Sequence, residues 1–576
     1  MNNILESSSK MLRLLTVSIE TSASQNTSEY SLPENDPATP DGPVVQHGLE
    51  NSRYRFRRVA SKTVLAFHSQ DPENPPNWSK WKKRFVLTTG VMSVSNSTLA
   101  ASLPSGAVPY IAKDFNITNQ QQLVLPISIF LIGYVFGPII CGSLSESFGR
   151  KIVTLIPFLI FMCFTLGCAL CQNWESLLVF RLFIGIMGSA PISIVGGVFA
   201  DIFDNPRERG VVMSYFMAAT TVGPLVGPFL SGFISTVHWR WTFWTGLMIS
   251  GVTLPFMALV PETYAPILLQ QRARTLRKET GNNNIVAPIE LGKRDLKQVL
   301  TVTLTRPVRM FFGESIVLFS CLYLSIVYSI FFMYFQAYPI IFRGIYNMNT
   351  GVSGLMYLPI MLGAGLACFV FNAWDNYLYK AKDRGAEWSS IEEYRRLPLA
   401  CIGGPLYVIS LFWLGWTASP SIHWAVPMLS GIPFGMGFML IFIAMLNYLS
   451  DAYETFAASA QSAANSCRAI FAVVLPLATT PMFDKLGVNW SCSLLAFISM
   501  AMTAIPFAFI HYGHHIRANS KFCQYLRETK EAEKRAEEED DARQNGRDVS
   551  DGNHHESEKA EADTHTTPLD QQTKSQ

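Results

Sequence analysis

Twelve long apolar stretches divide the chain between residues 85 and 511. An α-helix needs about 20 apolar residues to cross the hydrocarbon core of a bilayer, so stretches of this length predict membrane-spanning helices. Charged residues make up only 15% of the 576 residues and collect at the two ends and between the stretches. The sequence therefore predicts an all-α membrane protein and excludes secreted, fibrous and nucleic-acid-binding proteins. The predicted spans cover residues 85–107, 123–142, 152–171, 177–200, 211–233, 241–260, 311–335, 350–371, 397–417, 424–447, 457–481 and 490–511.

The longest polar interruption falls between the sixth and seventh spans, so the chain divides into six spans plus six. We expect residues 1–82 to form a disordered cytosolic tail, because Ser, Asn, Pro and Glu dominate them and cannot build a core. Residues 83–260 are expected to form an N-terminal six-helix bundle and residues 309–512 a C-terminal one. A central cytosolic loop, 261–308, joins the bundles, and 513–576 form a charged cytosolic tail.

Basic residues predict the orientation, because cytosolic loops of membrane proteins carry an excess of Lys and Arg. With the N-terminus inside, the inner loops carry about 22 Lys and Arg residues and the outer loops about 4. Both termini are therefore predicted to lie in the cytosol. Asn116, in the sequence Asn-Ile-Thr of the first outer loop, is a predicted glycosylation site.

The loop after the second span carries two glycines, an acid and two bases at fixed spacing. The sequence of residues 142–151 is Gly-Ser-Leu-Ser-Glu-Ser-Phe-Gly-Arg-Lys, and we call this segment the latch loop. Its candidate functional residues are Glu146, Gly149, Arg150 and Lys151. This pattern resembles the signature of the major facilitator superfamily in the same loop. The resemblance implies a gating role, because in that family the loop acts as a cytosolic latch between helices that separate during transport.

The loop after the eighth span resembles a degraded copy of the latch loop. Asp375 is followed there by Lys380 and Lys382. A repeated loop agrees with two related halves, and the resemblance implies the major facilitator fold: 12 transmembrane helices in two pseudo-symmetric six-helix bundles.

The fifth span contains a doubled Gly-Pro pattern formed by Gly223, Pro224, Gly227, Pro228 and Gly232. Small residues at four-residue spacing permit close helix packing, and prolines bend a helix. Packing alone would explain the glycines. The doubled pattern also resembles the antiporter motif found in drug exporters of the family, which favours export.

Three charged residues lie inside predicted spans, where a charge is costly unless it is paired or hydrated. Arg181 has two possible roles. Its long side chain could reach the outer surface of the membrane. Alternatively, the resemblance to the family implies a role in proton transfer, because an arginine at this place is followed there by a glycine, here Gly185. Glu314 either carries the coupled proton or pairs with Arg309. Arg468 lies near the middle of its span, so a coupling or gating role is expected.

A central substrate cavity is expected to use polar and aromatic residues of several spans. The candidates are Asn96, Tyr328, Tyr334, Gln336 and Asn447. Aromatic rings with a few polar groups suit an apolar ligand, including a cationic one. The tyrosines have an alternative role, because tyrosine is common at the interface between lipid and water.

Residues 71–512 resemble fungal twelve-span drug:proton antiporters, as in the stretches PETYAPILL, NPPNWSKWKK and SAPISIVGGVFADIF. The resemblance implies a plasma-membrane secondary active transporter that exports drugs, toxins or fungal secondary metabolites by proton antiport with alternating access. Proton-coupled uptake and polyamine transport are the alternatives within the same fold.

An enzyme is not expected, because the ten histidines lie in tails, loops or span ends, and no phosphate-binding loop is present. No cofactor or metal is predicted. The expected partners are a small-molecule substrate, protons and the lipid bilayer, with no nucleic acid, and the protein is expected to be a monomer.

Overall fold

The computed structural model describes residues 54–59, 62–68, 70–119, 121–291, 296–453, 457–520, 522–524, 527–528 and 531. Its helices follow one another through nearly the whole described chain. The first group comprises α1 Lys80–Ser102, α2 Val108–Asp114, α3 Leu125–Phe148, α4 Arg150–Leu170, α5 Trp174–Gly188, α6 Ala190–Ile202, α7 Pro206–Ile234, α8 Arg240–Leu259 and α9 Ala265–Thr280. The second comprises α10 Leu296–Gly313, α11 Ser315–Tyr338, α12 Thr350–Leu355, α13 Leu358–Asp383, α14 Glu392–Thr417, α15 Ala425–Leu429, α16 Gly431–Tyr453, α17 Ala457–Leu477 and α18 Thr479–Ala518.

Each of the twelve predicted spans coincides with one of these helices or with two consecutive ones. In the described part of the chain, 10 helical segments are long and apolar enough to cross a membrane. The last of them, α18, turns at Gly487, where φ is 71°, so one long segment supplies the end of one predicted span and all of the next. The all-α membrane fold predicted from the sequence is confirmed.

Helices α1 and α17 do not belong to those 10 segments because they are more polar. The second half of α1 carries Ser93, Asn96, Ser97 and Thr98, all of them buried. In a membrane protein, polar side chains within a span face the protein interior rather than lipid, where they find hydrogen-bond partners. The polarity of α1 and α17 therefore marks them as inner helices of the fold.

The helices pack mainly within two halves. In the first half α1 packs against α7, α3 against α5, and α4 against α5 and α8. In the second half α14 packs against α16 and α18, α11 against α17, and α13 against α16. The halves meet where α7 contacts α12 and α13, and where α3 contacts α17.

Charged residues lie at both ends of the helical bundle. One end, which we call the basic face, carries Arg150, Arg209, Arg306 and Arg396 around a common opening. The other end, which we call the opposite face, carries Asp114, whose carboxylate accepts a hydrogen bond of 2.8 Å from the indole N–H of Trp239.

A small sheet lies outside the helical bundle, and it corrects the predicted extent of the disordered tail. Strands β1 Tyr54–Val59 and β2 Lys62–Phe67 form an antiparallel hairpin, and β3 Ile285–Val286 pairs parallel with β2. Leu65 of β2 is fully buried with Leu269, Ala273 and Ile285. The prediction that residues 1–82 are disordered is therefore wrong for the hairpin, whose apolar partners lie far along the chain.

The segment between the halves is folded around helix α9. The Arg277 guanidinium donates hydrogen bonds of 3.0 and 2.9 Å to the two carboxylate oxygens of Glu290. Burial raises the pKa of Glu290, but the hydrogen bonds from Arg277 and the Ala287 N–H outweigh that effect and hold the pKa below its ordinary value. The ion pair fixes the end of α9 next to β3.

Candidate functional site

A cavity of about 1080 Å³ lies between the two halves. Helices α3, α6 and α7 line it on one side, and α10, α13, α14, α16 and α17 line it on the other. It reaches the basic face, where Glu146, Arg150, Arg396 and Asp451 surround it. A cavity of this volume has the size expected for a small-molecule site.

At the opposite face the two halves are in close contact. A methyl group added to Gly232 of α7 would lie 2.7 Å from the carbonyl oxygen of Thr350, and one added to Gly354 would lie 2.7 Å from that of Pro228. Carbon and oxygen atoms do not approach so closely, so only glycine permits this contact. The cavity is consequently closed toward the opposite face along α7 and α12.

The doubled Gly-Pro pattern of the fifth span also packs α7 against α1. A methyl group at Gly223 would collide with the hydroxyl oxygen of Thr98, and one at Gly227 with that of Ser102. The glycines thus allow the two helix backbones to approach across a row of hydroxyl groups. The packing explanation of the pattern agrees with this geometry, and its link to antiport stays a proposal.

The prolines of the pattern leave helix carbonyls without their usual donors, and α1 satisfies one of them. Pro228 has no N–H, so the carbonyl oxygen of Pro224 receives no hydrogen bond from within α7. The Ser102 hydroxyl donates to that oxygen over 2.5 Å. The polar face of α1 therefore completes the backbone hydrogen bonding of α7.

The latch loop is held by a carboxylate that follows the sixth span. Glu262 accepts hydrogen bonds from the backbone N–H groups of Arg150 at 2.9 Å and Lys151 at 3.1 Å, the first two residues of α4. A negative charge at this position offsets the positive end of the helix dipole. Gly149, with φ of 97°, adopts a conformation that favours glycine, and a methyl group there would collide with the Glu262 carboxylate.

The Arg150 side chain ties the latch loop to α6. Its guanidinium forms an ion pair of 3.1 Å with Asp201 and donates a 2.7 Å hydrogen bond to the Ser145 hydroxyl. It also lies 4.8 Å from the ring centre of Tyr264. Arg150 therefore joins α4, α6 and the segment after α8 at the mouth of the cavity.

The second half repeats this ion pair with different residues. Arg396, near the start of α14, pairs with Asp451, near the end of α16, at 3.0 Å. The arrangement matches Arg150 at the start of α4 and Asp201 at the end of α6. The sequence pointed to Lys380 and Lys382 as the bases of the second latch, but it is Arg396 that forms the equivalent ion pair.

Arg181 is buried at the junction of α1, α3 and α5. Its side chain is 1% exposed, so the alternative in which it reaches the outer surface is wrong. The guanidinium donates to the carbonyl oxygens of Pro126 at 2.7 Å, Ala100 at 2.8 Å and Ala101 at 3.0 Å. The last carbonyls of a helix lack internal donors, so Arg181 satisfies the C-terminal end of α1 and neutralises its dipole.

Glu314 lies at the break between α10 and α11. It is 4% exposed, and its carboxylate accepts a 3.0 Å hydrogen bond from the hydroxyl of Tyr453. The alternative pairing with Arg309 is absent from the ion pairs of the described residues. The backbone of Glu314 is extended, with φ of −119°, so this residue separates two helices instead of lying within one.

Arg468 lies on the cavity wall. Its guanidinium is 4.9 Å from the ring centre of Tyr328 and 5.6 Å from that of Phe442. Asn447 lines the same cavity. Of the predicted cavity residues, Asn447 lines the cavity and Tyr328 lies behind its wall, in contact with Arg468, so substrate binding by either residue stays a prediction.

The other three predicted cavity residues lie elsewhere. The Asn96 amide donates to the hydroxyl of Thr253 at 2.6 Å and joins α1 to α8. Tyr334 stacks on Phe434 with ring centres 3.9 Å apart, and Gln336 is not among the residues that line the cavity. The prediction failed because the sequence gives the depth of a residue within a span but not the helix face on which it lies.

Asn116 is exposed at the opposite face, two residues after the end of α2. Its φ of 54° places it in a turn. This position leaves its side chain accessible, and glycosylation there stays a prediction.

Three acids important to the site were not singled out from the sequence. Glu262 belongs to the Pro-Glu-Thr stretch after the sixth span, while Asp201 and Asp451 occupy matching positions at the ends of α6 and α16. A comparison of the two halves would have found the last two, because each is the only acid in the final three residues of its helix. The sequence could not have identified Glu262 in this way, because its partners are backbone N–H groups, which every residue other than proline carries.

Replacing Gly149 with Ala should slow transport at least about tenfold while leaving the affinity for the transported compound within about twofold. The methyl group displaces the Glu262 carboxylate from the start of α4, and this change lies at the cavity mouth and not in its wall. Transport by proteoliposomes and binding of the same fluorescent compound in detergent measure the two effects.

The matched control is Gly142→Ala in the same loop, because a methyl group there meets nothing within 4 Å. Although Gly142 lines the cavity, its substitution should reduce the transport rate far less than Gly149→Ala does. Equal losses of affinity and rate in Gly149→Ala, or equal effects of the two variants, would contradict a gating role for the latch loop.

The chain matches the family model described as Major Facilitator Superfamily over residues 91–476. It is 37% identical over 491 residues to a major facilitator superfamily multidrug transporter of Aspergillus fumigatus, covering 84% of this chain and 78% of that protein. It is 38% identical over 468 residues to an efflux pump of Gibberella moniliformis, covering 80% and 76%. A citrinin biosynthesis cluster transporter of Monascus ruber is 38% identical over 457 residues, covering 78% and 90%.

The structure resembles the xylose transporter XylE from E. coli with a TM-score of 0.53, covering 75% of this chain and 98% of that one. At 18% identity this likeness concerns the fold alone. The family model and these relatives point to the same family. The chain belongs to the major facilitator superfamily.

Proposed function

We propose that the chain is a plasma-membrane secondary active transporter that exports small amphipathic compounds, such as drugs, toxins or fungal secondary metabolites, by proton antiport. The observation that carries the proposal is the cavity of about 1080 Å³ that opens at one face only. A compound bound there has access to one side of the membrane at a time, as alternating access requires. Relatives named as an efflux pump and a multidrug transporter support the outward direction.

Alternating access requires each half to move as a unit. The ion pairs Arg150–Asp201 and Arg396–Asp451 each join helices of one half, so they can persist while the halves rock. The contacts between the halves must exchange instead. At the basic face Arg207 donates a 2.6 Å hydrogen bond to Asn376, and at the opposite face the glycines of α7 and α12 touch. Opening one set and closing the other would switch access to the cavity.

The basic face lies in the cytosol under this proposal, together with both termini. Cytosolic segments of membrane proteins are enriched in Lys and Arg, and the cavity mouth is surrounded by arginines. The cavity then takes up its substrate from the cell interior. We propose a monomeric transporter, because the two halves of one chain line the cavity from both sides.

Glu314 is our candidate for the carrier of the coupled proton. Its carboxyl is buried and contacts the phenol of Tyr453. Glu393 is also buried, but its carboxylate contacts the Arg517 guanidinium at 2.5 Å. A proton that binds to the Glu314 carboxyl breaks no ion pair, whereas one that binds to Glu393 would break its pair with Arg517. Glu314 also lies at a helix break, where small backbone movements can change its access to water.

Cells that produce the protein should accumulate less of a fluorescent amphipathic drug than cells that lack it. Collapse of the proton gradient with a protonophore should raise the accumulation to the level of the cells without the protein, because the gradient drives export. Time-resolved cell fluorescence provides the measurement, and we expect an Arg181→Ala variant, which loses three buried hydrogen bonds, to be inactive. Higher accumulation in the producing cells would instead indicate uptake and contradict the proposal.

Replacing Glu314 with Gln should abolish transport driven by a pH gradient in proteoliposomes while substrate exchange across the membrane persists. The amide fills the same space but cannot release a proton. The matched control is Tyr453→Phe, which removes the hydroxyl and leaves the carboxyl, and it should retain gradient-driven transport. A Glu314→Gln protein that still responds fully to the pH gradient would exclude this residue as the carrier.

A further inference from the structure

We propose that the substrate of this cavity is an organic anion, whose carboxylate is bound by the guanidinium of Arg468. This inference rests on the proposed transport function and specifies the chemical class of the transported compound. It departs from the expectation from the sequence, which favoured an apolar or cationic ligand.

Arg468 occupies the deep part of the cavity. On α17 the lining residues Gln461, Asn465 and Arg468 recur at helical spacing, so they form one face of the helix. Arg468 is the last of them, 11 residues beyond the start of α17, which corresponds to about 16 Å from the basic face at 1.5 Å per residue. This depth is about half the thickness of a bilayer core.

The guanidinium of Arg468 has no anionic partner in the described part of the protein. Its contacts are the faces of two rings, Tyr328 and Phe442, and it forms no ion pair with a described residue. Aromatic faces hold the plane of a guanidinium while its N–H groups point outward from the edge. Arg181 provides the contrast, because three carbonyl oxygens occupy its N–H groups. The N–H edge of Arg468 is therefore available to a ligand.

The charge of the cavity wall favours the same class of ligand. The anionic lining residues are Glu146 and Asp451, both near the ends of their helices, and Asp451 already pairs with Arg396. The cationic ones are more numerous, even though Arg150 and Arg396 form ion pairs: Arg150, Arg209, Arg306, Lys382, Arg395, Arg396 and Arg468. An excess of positive charge in a low-dielectric cleft concentrates anions.

Neutral hydrogen-bond donors accompany the guanidinium. Asn465, one helical turn before Arg468, and Asn447, on the adjacent helix α16, line the cavity with amide side chains. A carboxylate accepts up to four hydrogen bonds, and a guanidinium matches two of them in parallel. A cation such as a polyamine would need a carboxylate at this depth, and the described lining offers none there.

Three probes with one aromatic body and different charges test the inference. They are 4-(1-pyrenyl)butyrate, the neutral 4-(1-pyrenyl)butanol and the cationic 4-(1-pyrenyl)butylamine. The full-length protein should bind the butyrate at least about tenfold more tightly than the butanol, since a hydrogen-bonded ion pair contributes a difference of about 10- to 100-fold. Pyrene fluorescence anisotropy gives the affinities.

Arg468→Gln should remove the preference for the butyrate and leave the affinity for the butanol within about twofold, while Arg468→Lys should retain part of the preference. Arg209→Gln, which removes a positive charge at the cavity mouth, is the matched control and should leave most of the preference. Equal effects of Arg209→Gln and Arg468→Gln would show that the preference comes from the overall positive potential of the cavity. That result would overturn a specific carboxylate site at Arg468.

Efflux of the same probes from proteoliposomes separates this inference from the proposed function. Export of the butyrate by the wild type, lost in Arg468→Gln, supports both. Export of the butanol or butylamine in preference to the butyrate would overturn the anion site and leave the exporter function standing. Failure to bind or transport any of the three probes would contradict both.

Discussion

Lipid offers no hydrogen-bond partner, so the polar groups that these helices bury must be satisfied inside the protein. Arg181 illustrates the rule, because its guanidinium binds the terminal carbonyls of α1 and one carbonyl of α3. Ser102 supplies the donor that Pro228 cannot give to Pro224. Arg468 departs from the rule, since its guanidinium lies against two aromatic rings and forms no ion pair with a described residue. A charge deep on the cavity wall that no described residue pairs with is the feature that connects this architecture to binding.

The repeated ion pairs explain how such a cavity can open without loss of the fold. Arg150 with Asp201 and Arg396 with Asp451 hold matching helices together in the two halves. Between the halves the contacts are different in kind: a hydrogen bond from the Arg207 guanidinium to the uncharged amide of Asn376 at one face and glycine contacts at the other. Strong contacts within the halves and weaker ones between them favour movement of the halves as rigid bodies.

The sequence predicted the number and place of the membrane helices well, because a span must be long and apolar. It located the latch loop through Gly149 and Arg150, but not Glu262, whose partners are backbone N–H groups without a side-chain signature. It placed Asn447 in the cavity wall but misplaced Asn96, because the face of a helix depends on its neighbours. The hairpin of residues 54–67 was missed since its buried partners are distant in the sequence.

The central claim is that access to one cavity switches between two faces. Electron–electron double resonance measures it directly, with spin labels on non-canonical amino acids at Arg209 and Lys382 of the basic face, and at Val237 and Gly344 of the opposite face. Addition of a transported substrate together with a pH gradient should shorten the first distance and lengthen the second in the same population of molecules. Two distances that stay constant, or that change in the same direction, would contradict alternating access.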